Sequence, residues 1–388
     1  MALFLSPASL RLDSMDEVRF PRTLEVLRQG VAESVAPGFV ASVWSAASPE
    51  RYRAVAVGQR RVVPSALPLS VETPFDLASV TKVYGTATLA ARLIERGWID
   101  WNQPLRSILP QFRDDRVTLA HLLAHTGGLP AWFPFYEKLR TRFAPKPIYD
   151  VSVAIRQKAM RELVFETPLE NEPGSKAVYS DLSFLLLGFA LEEVTSLPLD
   201  RAVERWVWEP MGIRNSSYRR VTRSATQGAD DRFAATENCP WRGAVLQGQV
   251  HDDNCWAMGG YGGHAGAFGP VGDLMTFGSK LLSGFLSTAV RDRAWTRVVP
   301  PIGPPGCDRT PGWDTPSGEE PSLSRRFSPR SVGHLGFTGT SFWLDPDAQL
   351  AIALLSNRVH PSRENTQIRA FRPRFHSALA DDLGAMRD

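Results

Sequence analysis

Ser79 and Lys82, in the stretch FDLASVTKVYG (residues 75–85), stand three positions apart, which on a helix places their side chains on one face. The chain has six lysines, and only Lys82 has a serine three residues before it. A serine hydroxyl becomes a nucleophile when a base takes its proton, and a lysine serves as that base where burial lowers its pKa. The plainer alternative is a serine that starts a helix and a lysine that reaches water. Tyr179, in VYSDLSF, is the only one of seven tyrosines with Asp or Asn two residues later, here Asp181. A phenol beside a lysine can pass protons between nucleophile and leaving group, while Asp181 is expected to N-cap the apolar helix that follows. In VGHLGFTGTSFWLDP, His334 and Gly336 are expected on a strand, where Gly336 lets a substrate come close to the backbone. Alone, this last stretch is an ordinary strand and turn.

These residues need elements to hold them. A helix is expected over about residues 15–34, followed by strands in FVASVWSAA (39–47) and YRAVAVG (52–58). Residues 79–96 are apolar around most of the circumference, the mark of a buried helix, and Gly97 ends it. A second buried helix is expected over 182–195. Strand signals return only near the end, in HLGFTGTSFWLDP and QLAIALLSN, before a last helix over about 363–383. Strands at both ends with helices between suit one sheet built from distant segments around a helical insertion. Residues 300–330, rich in Pro and Gly, are expected as a long loop.

Composition narrows the function classes. With 388 residues, 43% apolar and 22% charged, the chain has the balance of a globular protein with a sizeable core. A formal net charge of +3 and the lack of a dense Lys/Arg cluster speak against nucleic acid as a partner. Three cysteines, Cys239, Cys255 and Cys307, make no disulfide framework and suit a reducing compartment. The N-terminus has an apolar patch without a basic flank, with Asp13 and Asp16 close behind, and the most apolar stretch meets Glu192 short of a membrane span. The expectation is a cytoplasmic protein with no membrane span.

The motifs S-x-x-K at Ser79, Y-x-D at Tyr179 and H-L-G at His334, in this order, resemble those of the serine β-lactamase and penicillin-binding-protein superfamily. LAHLLAHTGGLP (119–130) is similar to the H-L-L-x-H-T-x-G-L stretch of class C β-lactamase-related serine hydrolases, a group of esterases, D-aminopeptidases and amidases. GQVHDDNCWAMGGYGGHAGAFG resembles one branch of that group. The resemblance covers about residues 20–380. It implies an α+β, β-lactamase/transpeptidase-like fold: an antiparallel sheet from the N- and C-terminal segments flanked by helices, with an inserted, mainly helical subdomain. One catalytic domain would span 1–388, its α/β part about 15–90 and 262–388 and its helical part about 91–261. It further implies Ser79 as the acylated nucleophile and Lys82 with Tyr179 as the general-base system. The oxyanion hole would be the N–H groups of Ser79 and Phe337. Asp181, His334, Gly336 and Phe337 would bind substrate. No cofactor and no metal is implied, and no G-x-S-x-G elbow occurs.

Two positions depart from the pattern. Asp181 stands where many relatives have Asn, and His334 where β-lactamases have Lys, so positive charge is removed where a substrate carboxylate would lie. Either the substrate is a small ester or peptide-like amide without that charge, or Arg309, Arg325, Arg326 or Arg330 replaces it. A true β-lactamase or D,D-carboxypeptidase is the alternative enzyme, and a silent scaffold with the same fold is the alternative outside catalysis. His121 and His125 have zinc-pair spacing but lack the Glu of H-E-x-x-H. His251, Asp252, Asp253 and His264 are expected to hold a loop by hydrogen bonds.

Overall fold

The computed structural model describes residues 10–222, 230–298 and 308–385; Cys307, the first nine residues and part of the expected 300–330 loop lie outside them. The two N-terminal apolar runs form the antiparallel strands Gly38–Ser45 and Arg51–Arg61. Beside Gly38–Ser45 the sheet continues with Leu350–Ser356, then Ser341–Asp345 and Val332–Leu335. Trp313–Asp314 and Arg309–Thr310 extend one edge. Arg11–Ser14 closes the other edge and runs parallel to Arg51–Arg61.

Every residue of Leu350–Ser356 is buried. Its side chains alternate between two cores: Ala351, Ala353 and Leu355 enter one, Leu350, Ile352 and Leu354 the other. That is the period of two of a strand covered on both faces. One face is covered by Pro21–Ala32 and Ile368–Ala385, which approach so closely that a Cβ on Gly30 would lie 2.5 Å from the Phe371 ring. Val271–Leu282 lies on the other face, with Gly278 against Ala351.

Several expectations are corrected. The first helix starts only at Pro21, since a residue without N–H suits the first turn, and Arg11–Ser14 before it is a strand. Strands are not confined to the chain ends. Phe75–Asp76, Ala267–Gly269 and Ser217–Tyr218 form a small sheet, and Ala235–Cys239 pairs with Ala244–Gln247. Elements of two to five residues are too short to show a period. The described part of the expected long loop contains Arg309–Thr310 and Trp313–Asp314. The last helix begins at Ile368, because the residues before it are tied down by side chains. Cys239 and Cys255 are buried free thiols. No single described helix is long and apolar enough to cross a membrane.

Candidate active site

The expected helix at Ser79 opens with a 3-10 turn, Ala78–Val80, widens into a π turn, Lys82–Ala87, and becomes α-helical over Thr88–Glu95. Ala78 has φ 46, in the left-handed region that costs a non-glycine residue energy. Asp76 compensates: its Oδ1 accepts from Ala78 N–H at 2.9 Å and its Oδ2 from His251 N–H at 2.7 Å. Burial raises the Asp76 pKa, against those two hydrogen bonds.

Lys82 is fully buried, and its Nζ donates to Ser79 Oγ at 3.0 Å, Asp181 Oδ1 at 2.7 Å and the carbonyl of His264 at 3.1 Å. The expectation that burial lowers its pKa is half right. Desolvation does act downward, but the Asp181 carboxylate and the Tyr179 phenol outweigh it, and the net direction is upward. Burial also raises the Tyr179 pKa, opposed by Lys82; the phenol stands against both Lys82 and Ser79. The ammonium lies 4.9 Å from the centre of the Tyr179 ring.

Asp181 is free to reach Lys82 because it is not the helix cap. Ser180 caps Asp181–Thr195, its Oγ accepting from Ser183 N–H and donating to Pro130 O at 2.7 Å. His125 fixes the tyrosine between two main-chain bonds, its carbonyl accepting from Val178 N–H and its Nδ1 from Ser180 N–H at 3.0 Å. Its ring packs 4.8 Å from that of Tyr179. Burial, with Arg309 and Lys82 nearby, holds His125 neutral, as its accepting Nδ1 requires. His121 instead accepts from Thr118 N–H in the capping box of Leu119–Leu123.

The His334 strand brings the third motif to the nucleophile. Thr338 and Thr340 donate their hydroxyls to the carbonyls of Asp76 and Leu77 at 2.7 and 3.1 Å, locking the turn after the strand to the turn before Ser79. Gly336 is glycine for a different reason from the one expected. A Cβ there would meet Thr340 Oγ1 at 2.0 Å and Leu77 O at 2.7 Å, so the close approach is made by the protein itself. His334 Nδ1 lies 2.8 Å from Leu335 O and donates to it, leaving Nε2, buried and unpartnered among the described residues, as an acceptor. Burial and the cations Lys82 and Arg309 keep its pKa well below normal. Phe337 is exposed and stacks on the His251 ring at 5.6 Å.

Ser79, Tyr179, Asp181, His334, Gly336 and Phe337 line a cavity of about 530 Å³ whose lining carries both acidic and basic side chains. Of the four arginines considered for it, only Arg309 arrives, 4.8 Å from the Tyr179 ring and 3.8 Å from Asp314. Arg325, Arg326 and Arg330 turn to Gly318, Asp381 and Asp347. Positive charge comes instead from Arg358, Arg363, Arg369 and Arg372, near the C-terminus, which sequence reasoning missed. Their density after the last strand was the available signal. The His251–His264 stretch is committed to its own contacts: Asp252 caps Asp253–Met258 and accepts from His264 Nε2 at 2.9 Å. Asp253 pairs with Arg242 and Arg363.

A family model described as Beta-lactamase matches residues 25–372. A putative D-alanyl-D-alanine carboxypeptidase of Salmonella typhi is 30% identical over 324 residues, covering 77% of this chain and 72% of the relative. Among solved structures, EstCE1, a hydrolase with promiscuous acyltransferase activity, superposes with a TM-score of 0.71 at 22% identity, covering 94% of this chain and 99% of that one. A D-stereospecific amidohydrolase from Streptomyces sp. gives 0.64 at 22% identity, over 87% and 94%. At these identities the structures share the fold.

Proposed function

This chain belongs to the Beta-lactamase family, a superfamily of serine hydrolases acting on ester and amide bonds, and from that premise we propose that Ser79 is its acylated nucleophile. The observation that carries the proposal is the 3.0 Å hydrogen bond between Ser79 Oγ and the Nζ of a fully buried lysine. In its amine form Lys82 takes the Ser79 proton as Oγ attacks the substrate carbonyl, and Tyr179 relays the proton to the leaving group. The N–H groups of Ser79 and Phe337 receive the developing oxyanion; that of Phe337 has no acceptor among the described residues. Water then attacks the acyl-enzyme with the same groups in reverse. Asp181 and the accepting Nε2 of His334 support a substrate with no carboxylate at that wall, a small ester or inner amide.

A fluorophosphonate probe tests the nucleophile. The parent should gain one adduct by intact mass, on a peptide containing Ser79, and Ser79→Ala should gain none. Labelling elsewhere, or none in folded protein, would overturn the proposal and favour a silent scaffold. A second reading, a substrate ending in a free carboxylate, is favoured by Arg369, an exposed cavity-lining guanidinium with no ion pair among the described residues. Under that reading Arg369→Ala raises KM for a D-alanyl-D-alanine peptide and leaves neutral esters unaffected.

A further inference from the structure

Resting on the reading that Ser79 is acylated, we propose that Arg372 is a positioning residue of the oxyanion hole, orienting and polarising the Gly336–Phe337 peptide through its carbonyl. Arg372 lies on the helix Ile368–Ala385, 5% exposed, and its Nη2 donates to Gly336 O and to Thr340 O, both at 2.9 Å. A trans peptide is planar, with C=O and N–H pointing in opposite directions. Pulling Gly336 O toward Arg372 therefore turns the N–H of Phe337 away from that helix, toward the cavity side. The next carbonyl, Phe337 O, is held by Arg358 Nε at 2.7 Å, so the peptides on both sides of Phe337 are fixed by guanidinium groups.

The turn does not need a cation to close. Gly336 N–H already donates to Thr340 O at 2.7 Å, and Gly339 N–H to Gly336 O at 3.1 Å. Neither Arg372 nor Arg358 has a carboxylate in ion-pair contact among the described residues, and both are nearly inaccessible. Burial, with neighbouring arginines, pushes Arg372 down to about 9 and Arg358 to about 10. A buried, uncompensated charge is costly, and what it gains here is polarisation. A cation on the carbonyl oxygen draws electrons through the amide and makes the N–H a stronger donor, a cooperative effect along a hydrogen-bonded chain.

The test compares Arg372→Met and Arg372→Lys with the parent. It reads kcat and KM for p-nitrophenyl butyrate, the affinity of phenylboronic acid, which forms a tetrahedral anion on a nucleophilic serine, and Tm. Removing an oxyanion donor outright costs a hundredfold or more in kcat, so a misaligned one should cost roughly 10- to 100-fold. Arg372→Met should lose that much in kcat and in boronate affinity alike, with KM within about twofold. Arg372→Lys retains the charge on a less rigid donor and should recover most of both. Loss of kcat without matching loss of boronate affinity, in either variant, overturns the proposal, as does parental kcat in folded Arg372→Met. If Arg372→Met does not fold, the parallel between kcat and boronate affinity in Arg372→Lys decides alone. A parent that the fluorophosphonate leaves unlabelled at Ser79 overturns the underlying acyl-enzyme reading, a result seen before any variant is made.

Discussion

Replacing Asp181 with Asn removes a charge and almost no volume, so it isolates what the carboxylate does to Lys82. The ammonium lies 2.7 Å from Asp181 Oδ1, with the lysine side chain fully buried and the aspartate 18% exposed. At an effective dielectric constant of about 20, two unit charges at that distance attract by roughly 6 kcal/mol. Dehydration of both groups offsets most of this, and the net loss of a charge-assisted hydrogen bond is about 1.5–3 kcal/mol. The other two partners of Nζ, Ser79 Oγ and His264 O, are neutral and remain. Because the folded-state pKa of Lys82 is raised, the pair stabilises the fold fully below the range of an unfolded lysine, and that contribution fades as pH rises through the folded value. Asp181→Asn should therefore be less stable than the parent by about 1.5–3 kcal/mol near neutrality, with the gap closing at alkaline pH in urea titrations. Activity should move the other way. The amine form is the base, so the rising limb of kcat/KM against pH should shift to lower pH. Neutral-pH turnover of p-nitrophenyl butyrate should then increase up to roughly 10- to 100-fold, at about 1.4 kcal/mol per factor of ten. Superimposable profiles, or a limb displaced to higher pH, would refute Lys82 as the titrating base.

Tyr179→Phe removes only the phenol oxygen and should lower kcat by roughly a hundredfold, the scale of a lost proton relay; full activity would return the tyrosine to a packing role. Neutral p-nitrophenyl esters should be hydrolysed with higher kcat/KM than nitrocefin, and His334→Lys with Asp181→Asn should shift that preference toward the β-lactam, the two changes coupling through Lys82. A parent that prefers nitrocefin would show that Arg309 or Arg369 supplies the charge. Gly333→Ala should destabilise by roughly 1–3 kcal/mol in thermal melts, since its Cβ would sit 2.3 Å from Phe342 O and 2.4 Å from the Trp343 ring; an unchanged Tm would mean the hairpin yields there.

What the sequence determined by itself is what depends on near neighbours. Ser79 and Lys82 share a face because a helix turn brings them together, and Lys82 Nζ does donate to Ser79 Oγ. The strands Gly38–Ser45 and Leu350–Ser356 were legible because burial on both faces leaves a mostly apolar run, interrupted in the first only by Ser42 before its terminal serine. Asp181 was singled out, yet its task was misread: a cap is a choice between adjacent residues, and Ser180 takes it. Tertiary structure alone decided the state of Lys82, since the direction of its pKa is a balance between desolvation and a carboxylate 99 residues away in sequence. It also decided why Gly336 is glycine, because Thr340 and Leu77 crowd it only once the third motif docks on the nucleophile turn. Arg358 and Arg372 carry no local signature beyond the density of arginines after the last strand, which does not say what each one holds. A guanidinium on a carbonyl becomes visible only when the last helix packs behind the hairpin it holds, and long-range packing of that kind leaves no period or spacing in one chain's sequence.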